Sequence, residues 1–558
     1  MNAKTSALVL HSGRVNSDGG WVEAIAVQDG IITHLGSDSE ILALFPVAPK
    51  THINLGNQVV LPGLHDTHVH PVYAGTRERR CKIPQGATLD QVLAIIEETA
   101  RNTEPGEWIL GGQWDAFALG GAPDRYMLDK VAPLNPVQLE DTSAHSSWAN
   151  SLALEIAGVT AETPDPESGI FERDSNGEPT GIQRETAAYY ISSCTPKPSQ
   201  LELEAAITWS LHEMLSYGIT SFTEAALGFT AGATREMAAY HALVKRNEVK
   251  HRTRISVTWD ADDVEAMEII ATRNKFSNER VRTDGVKVFL DGVPTDGHTA
   301  AMLQPYADTI EGRDDDASRY GMLRIPTKTL NEAVAKFDSE GLTVKFHAAG
   351  DAAVRAALDA IEYAQTVNGK GPLMHNVGHC TFVAPEDIRR AAQLGATLEV
   401  SPYLWSPAPI CSDIAAAVGE TVIERVWPIR EMLDAGVLVV AGSDWSVVPS
   451  VNPWIGIETM VTREKPGGSE ETFGAGQAVT IDEAIQIFTI NAARQEGMAD
   501  RIGRIAIGML ADIIVVDRNP FEISKYEIHQ VSVEQTIING EVVFDRREAA
   551  QKPNTTSG

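Results

Sequence analysis

The most informative stretch of this chain, for both its fold and its chemistry, is Leu61-Pro-Gly-Leu-His-Asp-Thr-His-Val-His70. It places His68 and His70 two residues apart at the end of an apolar run that is typical of a strand. Alternate side chains of a strand point to the same face, so both imidazoles should enter one space with Asp66, while His65 points to the other face. Two converging imidazoles are half of a site for a divalent cation. Because a His-x-His pair is common by itself, the other half has to come from elsewhere in the chain.

The overall composition limits where this protein works and what it binds. A chain of 558 residues is longer than one compact core supports, which predicts two domains or one large domain with a satellite. Its net charge of -30 argues against binding to nucleic acid or to an anionic membrane. We see no secretory signal and no apolar run near the roughly 20 residues that span a bilayer. Since the 4 cysteines are scattered without a C-x-x-C pair, we expect a cytoplasmic protein with reduced thiols.

The two ends of the chain share a β-rich pattern. Short apolar runs flank an Asp29-Gly30 turn near the start and an Asn539-Gly540 turn near the end, and such turns are typical of hairpins. We therefore predict one small, β-sandwich-like domain built from residues 1–60 and 495–558.

The middle of the chain, residues 61–494, alternates between strand-like and helix-like segments. Eight candidate parallel strands can be counted, at Val59–Leu64, Gly218–Glu224, Arg254–Trp259, Gly285–Leu290, Thr343–Phe346, Asn376–Gly378, Ala396–Val400 and Val437–Ala441. Eight strand–helix repeats predict an α/β fold of the (β/α)8 TIM-barrel type, with an insert at about residues 72–217 after the first strand. A doubly wound open sheet is the alternative, but no Gly-x-Gly-x-x-Gly follows any of these strands.

Reactive side chains stand at the ends of the predicted strands. Barrel enzymes place their chemistry at the carboxyl ends of the strands, which makes these positions the informative ones. At these positions stand His68 and His70 on strand one, Lys287 on strand four, His347 on strand five, His379 on strand six and Asp444 on strand eight. The sequence therefore predicts that these six side chains meet at one mouth of the barrel.

This order of residues resembles that of the amidohydrolase superfamily, and within it the branch of YtcJ-like proteins and N-substituted formamide deformylases. Further motifs of that branch run through nearly the whole chain, at Glu178-Pro-Thr-Gly181, Thr299-Ala300 with Pro305-Tyr306, His347-Ala-Ala-Gly-Asp-Ala-Ala-Val354, Gly442-Ser-Asp444, Asn491-Ala-Ala493 and Gly508-Met-Leu-Ala-Asp512.

The resemblance implies a metal centre of one or two ions. Its ligands would be His68, His70, His347, His379 and Asp444, with a carboxylated Lys287 bridging two metals. An ammonium beside two cations would be repelled, whereas a carbamate is an anionic ligand. If Lys287 is unmodified, a single-metal site on His68, His70 and Asp444 is the alternative. Zinc suits the imidazole-rich donor set, although iron, manganese or cobalt also fit.

The implied activity is hydrolysis of a carbon–nitrogen bond in a linear amide, N-formyl or N-acyl small molecule. The metal would generate hydroxide at working pH, Asp444 would act as the general base, and His379 would help to polarise the carbonyl. One alternative is a hydrolytic deaminase of a heterocycle or cyclic amidine, although such enzymes usually place a glutamate shortly after the strand-five histidine, where this chain offers only the displaced Asp351. A non-catalytic binding protein on the same scaffold is a third hypothesis, but no ligand is missing.

Four further residues are candidates for binding substrate, namely Trp114, His145, His298 and Trp445, and Trp148 and Trp405 also follow strand-like segments. Aromatic side chains at a barrel mouth favour a substrate with an apolar or aromatic group. Packing of the insert on the barrel would explain the tryptophans equally well. The resemblance also allows a homodimer, which no residue pattern decides.

Overall fold

A computed structural model describes residues 7–551 except 47–50, 85, 122, 143–144, 167–168, 296, 311–314, 405–406 and 408. Trp405 and the C-terminal residues 552–558 lie outside the described residues. None of the described helices is long and apolar enough to cross a membrane. No disulfide joins any of the four cysteines, all of which lie in the described part of the chain.

Eight parallel strands form the central sheet, in sequence order from first to last. They are Leu64–Val69, Ile219–Leu227, Arg252–Thr258, Val281–Phe289, Thr343–Ala348, Asn376–His379, Thr397–Val400 and Leu438–Ala441. The last strand returns to the first, because the Asp444 amide donates to the His68 carbonyl at 2.7 Å and the His70 amide donates to the Trp445 carbonyl at 2.8 Å. The sheet is thus a TIM-type barrel, and the prediction of an α/β barrel is confirmed.

The strand that enters the barrel first differs from the prediction. The apolar run Val59–Pro62 pairs with Ile513–Val516 and with Arg14–Ser17 in a sheet outside the barrel. Barrel strand one is instead Leu64–Val69. The prediction of Val59–Leu64 was wrong because one continuous apolar run serves two consecutive strands, and only tertiary pairing separates them.

Helices pack around the barrel between its strands. Strand one is followed by Pro71–Glu78 and, after the insert, by Gln200–Ser216. The helices that follow the later strands are Ala233–Lys245, Val264–Thr272, Asp316–Tyr320, Thr327–Ser339, Asp351–Asn368, Pro385–Leu394, Pro409–Val418, Glu420–Ile423, Ile429–Asp434, Pro453–Thr462, Ile481–Gln486 and Ala492–Gln495. Their alanine- and leucine-rich faces are buried against the strands, which forms one continuous core.

The insert after strand one carries its own mixed sheet. Its strands, in spatial order, are Gly169–Arg173, Pro179–Glu185, Ser146–Ala149, Val137–Asp141, Ile109–Trp114 and Cys81–Lys82. Its helices are Leu89–Arg101, Ala116–Leu119, Arg125–Val131, Ser151–Ala157 and Thr186–Ser192. A separate apolar cluster that includes Trp114 and Trp148 fills the space beneath this sheet.

Both ends of the chain contribute to the sheets outside the barrel. One sheet has six strands in the spatial order Glu541–Asp545, Val533–Ile538, Ile513–Val516, Val59–Pro62, Arg14–Ser17 and Gly20–Val22. The other has four, in the order Ile31–Gly36, Ala24–Gln28, Leu8–His11 and His52–Asn54. Two short helices, Asp38–Leu44 and Arg546–Ala549, accompany these strands. Asn539 and Gly540 both have positive φ, as a tight turn between two twisted strands requires.

Candidate metal centre

His68, His70 and Asp444 converge at the carboxyl end of the barrel. One ligand atom from each lies within 4.8 Å of the others, and all three side chains are buried. His70 Nε2 is 3.2 Å and His68 Nε2 is 3.6 Å from Asp444 Oδ1. The side chains reach this point because His68 is the penultimate residue of strand one, His70 follows the strand, and strand eight returns beside them.

The other three predicted residues line the same small cavity of about 100 Å³. Lys287 Nζ lies 3.3 Å from His68 Nε2. The ring of His379 is 4.9 Å from that of His68 and 4.3 Å from that of His347, measured between centroids. The structure therefore brings together all six side chains that the sequence places at strand ends.

The donor set of this cavity fits a divalent cation. His379 Nε2 is buried and has no hydrogen-bond partner among the described residues. Burial holds the pKa of His68, His347 and His379 well below the usual value, and the neighbouring cationic or imidazole groups lower it further. These imidazoles are thus neutral at pH 7, which is the form that ligates metals.

Burial also lowers the pKa of Lys287 to about 7, and the nearby charge of Lys345 acts in the same direction. The Lys287 side chain is only 1% exposed. A substantial part of this lysine is therefore a neutral amine at physiological pH.

Buried carboxylates behind the cavity fix two of the imidazoles. Glu399 on strand seven accepts a hydrogen bond from His68 Nδ1, and Asp291 accepts one from His347 Nδ1 at 3.0 Å. In each ring the opposite nitrogen is left to face the cavity. Carboxylate–histidine pairs of this kind set the tautomer and orientation of metal ligands.

The carboxylates behind the metal ligands were not predicted from the sequence. Glu399 also binds the buried ammonium of Lys345, and Asp291 also accepts the backbone amides of Ala349 and Gly350 at 3.1 and 2.9 Å. Glu399 lies on strand seven and Lys345 on strand five, while Asp291 follows strand four, all far from the His-x-His motif in sequence. An alternating pattern that puts a charged residue inside a strand, as in Thr397-Leu-Glu-Val400, is the one signal that could have pointed to them.

The other residues of the His-x-His stretch stabilise the barrel rather than the cavity. Asp66 Oδ1 accepts the backbone amides of His68 and Ser443, both at 3.0 Å, and so joins strand one to the segment after strand eight. His65 lies on the opposite face beside Arg254 and Glu496, as strand parity predicts.

Of the four candidate substrate-binding residues, only His145 lines the cavity. Its Nδ1 is 2.9 Å from Glu185 Oε2, and its ring centroid is 5.7 Å from that of His347. Burial alone would lower the pKa of His145, but the carboxylate of Glu185 outweighs burial and raises it. A histidine whose protonated form is favoured by the Glu185 carboxylate therefore faces the metal ligands from the insert.

The other three candidates lie elsewhere. Trp114 is buried against Trp148 and donates its Nε1–H to the Leu139 carbonyl at 3.0 Å. Trp445 is 5% exposed and packs on Trp209. His298 is held by the Ser318 carbonyl and by Asp308, and it lines a separate cavity of about 480 Å³. Position after a strand did not distinguish a side chain that packs in a core from one that lines a cavity.

A different set of aromatic residues surrounds the mouth of the metal cavity. We call Tyr73, Tyr189, Phe229 and Phe289 the aromatic collar, because they line the metal cavity and also a larger neighbouring cavity of about 680 Å³. The ring centroid of Phe229 is 5.6 Å from that of Tyr73, 5.9 Å from that of Tyr189 and 6.2 Å from that of Phe289. The collar supplies the apolar environment that the tryptophans were predicted to supply.

Residues 51–544 match the model of the amidohydrolase family, so the chain belongs to this family. It is similar over 96% of its length to YtcJ of Bacillus subtilis, with 27% identity and 99% of that protein covered. It is also 27% identical to the N-substituted formamide deformylase of Arthrobacter pascens, over 95% of this chain and 96% of that enzyme. The resemblance to this branch, predicted from the motifs, is thereby confirmed.

A crystal structure of an uncharacterized metal-dependent hydrolase from Pyrococcus horikoshii has the same fold. It superposes with a TM-score of 0.72 over 93% of this chain and 99% of the other, at 22% sequence identity.

Proposed function

We propose that this protein hydrolyses the carbon–nitrogen bond of a linear amide, in particular an N-formyl or N-acyl small molecule. The observation that carries the proposal is the convergence of His68, His70 and Asp444 within 4.8 Å, in a cavity that three more potential ligands line. Similarity to a formamide deformylase over nearly the whole chain supports the same class of reaction.

His68, His70, His347, His379 and Asp444 would hold the metal, and a carboxylated Lys287 would add an anionic oxygen ligand if two ions bind. Zinc is the proposed metal, because imidazole and carboxylate donors suit it. A cation held there supplies the Lewis acidity that makes water a nucleophile near neutral pH. If Lys287 stays an amine, His68, His70 and Asp444 are the ligands of a single ion.

Asp444 is placed to move the proton that amide hydrolysis requires. Its Oδ1 lies between the two imidazoles of the motif, whereas its Oδ2 faces His379 Nδ1 at 3.9 Å. Oδ2 is therefore the atom that takes a proton from water and returns it to the departing nitrogen. His145, whose pKa the Glu185 carboxylate raises, and a His379 Nε2 that does not ligate the metal are the groups on this chain that can stabilise a developing oxyanion.

The geometry around Asp351 favours amide hydrolysis over deamination of a heterocycle. A deaminase would need an acid here that reaches the substrate ring. Asp351 Oδ1 instead accepts the backbone amide of Leu303 at 2.7 Å, and the side chain does not line the cavity.

Metal analysis together with turnover of a panel of N-formyl, N-acetyl and aromatic amides tests the proposal. We expect one or two equivalents of divalent metal and release of an amine and an acid. Replacing His68 or Asp444 by alanine should abolish turnover and leave the circular dichroism spectrum unchanged, whereas the exposed His212→Ala control keeps full activity. Full turnover by either site variant, or release of ammonia from a heterocycle with no amide hydrolysis, would overturn the proposal.

A further inference from the structure

Beyond the aromatic collar lies the cavity of about 680 Å³, which we call the outer chamber. Its walls come from both the insert and the barrel, for example Gln138 and Thr186 on one side and Thr258 and Arg324 on the other. The four collar residues line both cavities, so the chamber adjoins the metal cavity at the collar. A molecule whose amide lies at the metal ligands would extend through the collar into this chamber.

The chamber contains an arginine whose charge is not neutralised by an ion pair. Among the described residues, no carboxylate lies within 4.0 Å of the Arg324 guanidinium, although Arg324 is partly buried. The carboxylates near it are engaged or remote. Glu140 binds Tyr73 and Arg80, Glu185 binds His145, and Asp260 is exposed to solvent.

The position of Arg324 relative to the metal ligands sets the shape of a fitting substrate. The Phe289 ring is close to both sites, with its centroid 5.6 Å from that of His347 and 6.0 Å from Arg324 Cζ. The Arg324 backbone is fixed, because its amide donates to the Leu290 carbonyl at 2.9 Å. A guanidinium at the edge of an apolar collar is suited to two parallel hydrogen bonds to a carboxylate.

We propose that Arg324 binds a carboxylate at the far end of the substrate, so that the natural substrate is an amide with an aromatic or apolar spacer and a terminal acid. The amide lies at the metal ligands, the spacer lies in the collar and the acid lies in the outer chamber. This inference rests on the proposed function for the reaction, but the binding of the acid can be measured without turnover.

Calorimetric titration of the holoenzyme with 4-methylbenzoate and its neutral analogue 4-methylbenzamide tests the site directly. We expect the acid to bind at least about tenfold more tightly, as a charge-assisted pair of hydrogen bonds provides. Arg324→Met should remove this preference and Arg324→Lys should keep part of it. The control Arg319→Met removes an exposed positive charge outside the chamber and should keep the full preference for the acid. A preference that survives in Arg324→Met, or that wild type lacks, would overturn the assignment.

Measurements of turnover test the acid-binding role of Arg324 separately from the proposed amide hydrolysis. We expect wild type to hydrolyse 4-(formamidomethyl)benzoate with a KM about tenfold below that for N-benzylformamide, and Arg324→Met to equalise the two. Equal KM values for both formamides in wild type would contradict the role of Arg324 and leave the proposed reaction intact. An Arg324-dependent preference in binding with no hydrolysis of either compound would support the acid site and refute the reaction.

Discussion

At the scale of single residues, the metal ligands depend on buried partners that hold them. Glu399 is fully buried and serves both His68 and Lys345, so it couples the orientation of one imidazole to the position of a buried cation. A ligand without such a partner would lose its preferred tautomer and rotate. The function of the cavity therefore extends to residues that touch neither metal nor substrate.

We predict that Glu399→Gln weakens metal binding by about 10–100-fold, because His68 keeps a hydrogen-bond acceptor but loses the carboxylate charge behind it. Competition with a chelator of known affinity measures the effect. Glu386→Gln is the matched control, since Glu386 pairs with Arg355 at the surface. Unchanged metal affinity in Glu399→Gln would show that this carboxylate does not support the site.

A second residue-scale prediction concerns stability in acid. His251 is fully buried against Phe222, and burial lowers its pKa to about 3, from a usual value of about 6.5. The unfolded chain therefore binds a proton that the folded chain does not, so His251 contributes stability above pH 6.5 that is lost progressively as the pH falls toward 3.

The variant His251→Leu should flatten this part of the pH dependence. We expect its free energy of unfolding to fall by a few kcal/mol less than that of wild type between pH 7 and 4. Urea unfolding at a series of pH values measures this, with the exposed His212→Leu as control. Parallel curves for wild type and His251→Leu would contradict the prediction.

At the scale of elements, the closure of the barrel places the two halves of the site together. The segment after strand eight passes so close to strand one that a Cβ at Gly442 would lie 2.3 Å from His68 Cβ and 2.4 Å from His68 N. Only glycine permits this approach, so Gly442 fixes the distance between the His-x-His pair and Asp444.

Gly442→Ala should therefore displace His68 from Asp444. We expect metal content to fall to less than half of the wild-type value and the melting temperature to drop by several degrees, as overpacking costs about 1–3 kcal/mol. Gly371→Ala is the control, because an added Cβ there meets no atom within 4 Å. Wild-type metal content and stability in Gly442→Ala would refute this account of the closure.

A cluster of buried charges joins the other end of the barrel to the helix that precedes the C-terminal strands. Glu496 accepts hydrogen bonds from Arg282 and from Arg254, the latter at 3.2 Å. Glu496→Gln should leave Asp284 as the remaining carboxylate that pairs with both guanidinium groups and cost about 2 kcal/mol of unfolding free energy. The exposed pair of Arg14 and Glu522 provides the control, since Glu522→Gln should change stability by less than about 1 kcal/mol in the same urea titration. A loss in Glu496→Gln as small as in the control would contradict the role of the cluster.

Much of the secondary structure could be predicted, because the periodic patterns of strands and helices lie within short stretches of sequence. Seven of the eight barrel strands and the six reactive residues at the mouth follow from short patterns. The start of strand one could not be placed, since Val59–Pro62 and Leu64–Val69 form one apolar run in the sequence. Glu399, Asp291 and the aromatic collar were missed because their roles come from contacts between distant segments, which no local pattern records.

At the scale of the whole molecule, a bound metal should stabilise the entire fold. The six cavity residues come from five strands of the barrel, so a cation that binds them joins segments from residue 68 to residue 444. The unfolded chain has no such site, and binding therefore favours the folded state.

We expect added zinc at about 100 times its Kd to raise the unfolding free energy of the metal-free protein by about 2.7 kcal/mol. Thermal unfolding before and after chelation measures the effect. His68→Ala should show no stabilisation at the same zinc concentration, while His212→Ala behaves as wild type. Equal stabilisation of His68→Ala would place the zinc elsewhere.

The most direct measurement is anomalous X-ray diffraction from crystals of catalytically active enzyme, recorded at the absorption edge of its metal. We predict an anomalous peak within about 2.0–2.3 Å of the ligand atoms of His68, His70 and Asp444. A second peak beside Lys287 would mark the binuclear form. Active crystals with no peak in this cavity, or with the metal bound at another place, would contradict the metal centre on which the proposed function depends.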